Sequence, residues 1–146
     1  KQGEWLFGCD VCLEVCPFTR KSQRARLTGE QRPVELRPHR IVEQWTLVDV
    51  LAMDEARYQH EFVGTAMRRA TRSGLRRNAA IVLGNRGDDA ALPALHTALG
   101  DEDPIVRGHA AWAIGRIRAD DPQLQAARAR ETDERVRAEI DAALGG

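Results

Sequence analysis

The chain has 146 residues, of which 42% are hydrophobic but only 5% aromatic, so alanine must do much of the filling, and a helical stack is expected rather than a β-sandwich or barrel. No apolar run approaches the ~18 residues of a membrane span, and the expectation is a soluble, cytoplasmic, all-α protein. The 22 Lys and Arg balance 22 Asp and Glu, yet residues 1–77 carry 14 basic against 10 acidic side chains and residues 78–146 carry 8 against 12. A polyanion would meet the first half.

All three cysteines fall in one stretch, G-C-D-V-C-L-E-V-C-P over residues 8–17. Cys9, Cys12 and Cys16, followed by Pro17, have the spacing of the last three ligands and the proline of the ferredoxin run C-x2-C-x2-C-x3-C-P. Such spacing lets neighbouring thiolates face one metal centre, and the proline fixes φ and turns the chain away. The position of the run's first ligand is held by Leu6, which cannot coordinate iron. Two [4Fe-4S] clusters take about eight thiolates, so three imply a longer protein that supplies the others, with this chain as its C-terminal piece. Zinc is the alternative, and its tetrahedron would be closed by one of His39, His60, His96 or His109. A disulfide framework would leave one cysteine over.

Residues 1–25 therefore read as the C-terminal part of a ferredoxin-type domain, and residues 26–64 as a connector with short helices. Arg20, Lys21 and Arg24 open a basic stretch that runs to Arg40 and meets only Glu30 and Glu35. Ile41, Val42, Trp45, Val48 and Leu51 then recur at helical spacing, as one short helix or two half-helices. Asp54 can cap a helix carrying Tyr58 and Phe62, ending near Gly64. Thr65 can cap the next, with Met67 as its core anchor. A second basic cluster follows, Arg68, Arg69, Arg72, Arg76 and Arg77, with a break expected at Ser73-Gly74. A solvated helix face and an anion-contacting face both fit that cluster.

A repeat begins at Leu75 and defines a domain over residues 65–146. L-R-R-N-A-A-I-V-L-G-N aligns with V-R-G-H-A-A-W-A-I-G-R 31 residues later, and again with V-R-A-E-I-D-A-A-L-G-G after a further 30. Periods of this size mark an α-solenoid, in which each helix pair buries its face on the next. Asp88 or Asp89, Asp103-Pro104, Asp121-Pro122 and Thr132 supply the helix starts. His109 reads as a packing histidine beside Trp112.

The cysteine stretch, G-T-A-M-R-R and L-R-R-N-A-A-I-V-L-G-N together resemble the C-terminal part of the epoxyqueuosine reductases. The resemblance implies a cobalamin-dependent, two-[4Fe-4S] oxidoreductase that reduces epoxyqueuosine to queuosine in tRNA, with a HEAT-like region helping to hold the tRNA. It assigns Cys9 and Cys12 to one cluster and Cys16 to the other. The cobalamin pocket and catalytic acid would lie outside this chain, which then holds no catalytic residue. Further expectations are a monomer, an external electron donor, and tRNA contacts by Arg20, Lys21, Arg24, Arg68, Arg69 and Arg76. Pro17-Phe18-Thr19 departs from the family's Pro-Trp-Asn. Two other readings are a protein-binding HEAT scaffold with a structural zinc or cluster, and another corrinoid iron–sulfur enzyme such as a reductive dehalogenase.

Overall fold

Short side-chain caps, set by single Asp and Thr residues, determine where most of the helices begin. The computed structural model describes Gly3, Glu4, Leu6, Phe7, Gly8, Cys12, Val15, Cys16, Pro17 and residues 44–145, and its named elements are all helical. Helix α1 (Leu47–Leu51) opens with a capping box, in which the Thr46 hydroxyl accepts the Asp49 N–H and the Asp49 carboxylate accepts the Thr46 N–H. Ile41 and Val42, expected in the same helical pattern, lie outside the described residues. Helix α2 (Glu55–Phe62) is capped by Asp54, which takes the Arg57 N–H at 2.7 Å. Tyr58 and Phe62 are its buried pair, and Gly64 at φ 74° turns the chain where the sequence placed a stop.

The next junction differs from expectation. Thr65 does not cap, because its hydroxyl donates to the Phe62 carbonyl at 3.0 Å, and Ala66–Ala70 form a 3₁₀ turn. Helix α3 (Arg72–Arg86) then runs straight through Ser73-Gly74. The break falls instead at Thr71, whose φ of 59° strains a β-branched residue. Its hydroxyl accepts the Gly74 N–H at 3.1 Å, and that cap holds the turn.

Beyond it come a 3₁₀ turn (Asp89–Ala91) capped by Asp88, α4 (Leu92–Ala98), α5 (Pro104–Ile117), α6 (Pro122–Arg130) and α7 (Glu134–Gly145). Asp103 and Asp121 cap α5 and α6, each with proline in the first turn, as the sequence implied. The last start is corrected by one residue, since Asp133 rather than Thr132 accepts the N–H groups of Arg135 and Val136.

Helices α3, α5 and α7 stack in one layer, and α1, α4 and α6 pack against them as the second. The repeated glycine makes that stacking possible. A Cβ on Gly84 would come within 2.8 Å of the Ala113 backbone, and one on Gly115 within 2.6 Å of the Ala143 side chain. Residues 1–7 and 46–146 form one compact unit and residues 8–45 another.

Three arginines at equivalent repeat positions tie the loops to the helices. Buried Arg76 donates to the Leu51 carbonyl at 2.7 Å and to both Asp101 carboxylate oxygens. Arg107 grips Glu131 through Nε and Nη2 at 2.8 and 2.9 Å and donates to the Asp101 and Glu102 carbonyls. Arg137 donates to the Glu131 carbonyl. Burial pushes Asp101 up, but the Arg76 hydrogen bonds, together with the Asp103 N–H, leave its carboxyl below the usual range. The Arg107 hydrogen bonds act on Glu131 more strongly than its burial does, and with the Asp133 and Thr132 N–H groups they push it down to about 2.

A carboxyl whose pKa is lowered by folding lends stability above its unfolded value and loses it on acidification. For Glu131 the loss runs from about 4.5 down toward about 2. In thermal melts, Glu131→Gln is expected to lower Tm at pH 7 by roughly 10 °C, from the ~2–3 kcal/mol lost when Arg107 exchanges its charged partner for a neutral one. The variant's Tm should also fall less steeply than wild type between those pH values. A wild-type Tm and acid profile in the variant would remove the ladder from the account.

Candidate functional site

The unit of residues 8–45 carries the cysteines. Cys12 is exposed and Cys16 half-buried, and neither is joined in a disulfide. Cys9 lies outside the described residues, as do Arg20, Lys21 and Arg24. Cys12 and Cys16 stand at the C-x3-C-P spacing, and sulfur at that spacing is the donor chemistry of an iron–sulfur run. Among the described residues no three His, Cys, Asp or Glu side chains converge as a metal site.

The histidines weighed for zinc have other partners. His60 lies 3.4 Å from Glu61, and His96 Nε2 lies 3.1 Å from both Asp121 carboxylate oxygens. His109 Nδ1 donates to the Ile105 carbonyl at 2.8 Å, one turn back in its own helix. His39 lies outside the described residues.

The second basic cluster divides in two. Arg68 and Arg69 are exposed on the 3₁₀ turn, with Arg68 reaching Gln59 at 3.4 Å. Tyr58 steadies that turn by donating its hydroxyl to the Arg68 carbonyl at 3.1 Å. Arg72 is spent on Glu55 and Glu102, both at 3.0 Å. Arg76, expected on the tRNA-facing surface, is 7% exposed and paired with Asp101, so its charge is neutralised inside the stack. The sequence did contain the signal for this. Arg76, Arg107 and Arg137 each follow an apolar residue at the same repeat position, which is the pattern of a structural ladder.

Comparison with known proteins bears on both features. Residues 61–145 match the family model for HEAT repeats. The chain is 32% identical over 146 residues to the epoxyqueuosine reductase of Bacillus subtilis, covering 97% of this chain and 36% of that protein. It is 34% identical over 115 residues to the epoxyqueuosine reductase of Escherichia coli, covering 78% and 28%. A crystal structure of epoxyqueuosine reductase with an epoxyqueuosine-modified tRNA-Tyr stem loop superposes with a TM-score of 0.81 at 30% identity, covering 98% of this chain and 37% of that one. The chain thus spans about a third of the length of these relatives.

The division of the arginines can be read from stability. Arg76→Ala takes the guanidinium from half-buried Asp101 and should cost ~3–5 kcal/mol, seen as a large fall in Tm, whereas Arg69→Ala should stay within ~0.5 kcal/mol of wild type. Equal melting of the two variants would contradict the assignment of Arg76 to the interior.

Proposed function

Since the chain belongs to the HEAT-repeat family over residues 61–145 and is homologous along nearly its whole length to the epoxyqueuosine reductases, we propose that it works as part of such a reductase. In this reading the complete protein is an oxidoreductase that converts epoxyqueuosine to queuosine in tRNA. The observation that carries it is the superposition of 98% of the chain on the reductase structure that holds a modified tRNA stem loop.

Two tasks fall to this chain. Cys9, Cys12 and Cys16 would hold iron–sulfur clusters jointly with cysteines from the rest of the protein, and Pro17 ends the ligand run. The clusters, when bound, supply one-electron transfer, with potentials tuned by hydrogen bonds and exposure. The thiolates would fix the iron. Cobalamin is assigned to no residue here and would sit in the remainder of the protein, and an external donor would supply the electrons.

The second task is holding tRNA. Arg68 and Arg69 project from a turn whose backbone is held by Tyr58, so two cations are presented to solvent. Arg20, Lys21 and Arg24 would add to them. Phosphate contacts of this kind carry affinity without reading sequence. The protein-scaffold alternative predicts no such anion dependence.

In the complete reductase, Arg68→Gln with Arg69→Gln should weaken binding of modified and unmodified tRNA stem loops equally. The slope of log K against log salt should become shallower by about 1–2. An unchanged slope would show these arginines to be a solvated face, and no conversion of epoxyqueuosine by the complete protein would overturn the reductase reading.

A further inference from the structure

Asn78 and Asn85 lie seven residues apart on α3, close to two helical turns, and therefore on one face. Asn78 Nδ2 donates to the Leu6 carbonyl at 2.7 Å, and Asn85 Nδ2 to the Gly3 carbonyl at 2.5 Å. Beside them Arg86 Nε pairs with Glu4 at 3.2 Å. The amide of Asn78 is oriented for this task, because Arg77 donates from Nε and Nη2 to its Oδ1 at 3.1 and 3.0 Å. With that oxygen engaged, the NH2 end is the one left for Leu6.

The chain held this way is the stretch directly ahead of the cysteines. Residues 1–7 share a compact unit with the repeat, the second unit begins at Gly8, and Cys9 follows at once. Gly8 has φ 66°, a left-handed conformation that glycine adopts with least strain, so the backbone turns where the anchored stretch ends. Amide donors grip backbone carbonyls whatever the side chains, so both clamps hold the path of the chain.

We propose that Asn78 and Asn85 are positioning residues for the cysteine segment: they fasten the chain entering it to α3 and so limit the excursions of the ligands that follow. The proposal rests on the iron–sulfur reading above. Asn78→Asp is the sharpest probe, since a carboxylate keeps the Arg77 partner but turns a donor into an acceptor facing a carbonyl. Asn85→Ala at an exposed position is the second, with little risk to folding.

Two measurements test it. In this chain, the 15N relaxation order parameters of Gly3, Glu4, Leu6, Phe7 and Gly8 should fall in each variant, with those of α5 and α7 and Tm unchanged. In the complete, iron-loaded reductase, the electron paramagnetic resonance spectrum and the cluster midpoint potential should shift. Unchanged order parameters would overturn the clamp. Lowered order parameters with wild-type spectrum and potential would leave a tether and overturn its positioning role. If the wild-type protein itself gave no iron–sulfur signal, the cluster reading would fall and the positioning role with it, an outcome told apart from the others by the wild type alone.

Discussion

The arginine ladder fixes the register on which the rest of this structure depends. A pair of short helices cannot bury its own apolar face, and close packing of α3, α5 and α7 through Gly84 and Gly115 says how near the pairs lie but not how they are aligned along their axes. Arg76, Arg107 and Arg137 supply that alignment by reaching into the loops between repeats. Buried ion pairs often add little net stability over apolar packing, because desolvation offsets the Coulombic gain. Their contribution here is geometric. Each guanidinium is satisfied only when a loop carboxylate or carbonyl sits at a set distance from its helix.

That alignment has consequences for the candidate site, because α3 carries several of its parts. One turn of the helix gives Arg76 to the core, another face offers Asn78 and Asn85 to the segment ahead of the cysteines, and the strained Thr71 at its start separates the exposed Arg68 and Arg69 from the stack. A slip of α3 would move all of these together.

Much of the fold was legible in the sequence where a single residue decides a local outcome. Asp54, Asp103-Pro104 and Asp121-Pro122 cap helices because a short carboxylate beside a chain reversal has few better partners than the free N–H groups. The repeat period exposed the two layers. Misreadings came where neighbours compete for one role: Thr132 loses the cap to Asp133, and Ser73-Gly74 stays helical because Thr71 takes the break and Ser73 bonds to Asp103. Composition gave no sign of which arginines face inward, since charge alone does not set helix phase. The roles of Asn78 and Asn85 depend on a segment more than seventy residues away in sequence, beyond the reach of local pattern.

The functional account turns on whether the cysteines of residues 8–17 serve more than one iron–sulfur centre. Electron paramagnetic resonance of the reduced complete protein, comparing Cys9→Ser with Cys16→Ser, tests this most directly, because exchanging a soft thiolate for a harder oxygen perturbs only the cluster it binds. The account predicts that the two variants disturb different cluster signals. Identical spectra from the two would place all three cysteines on one metal centre and contradict it.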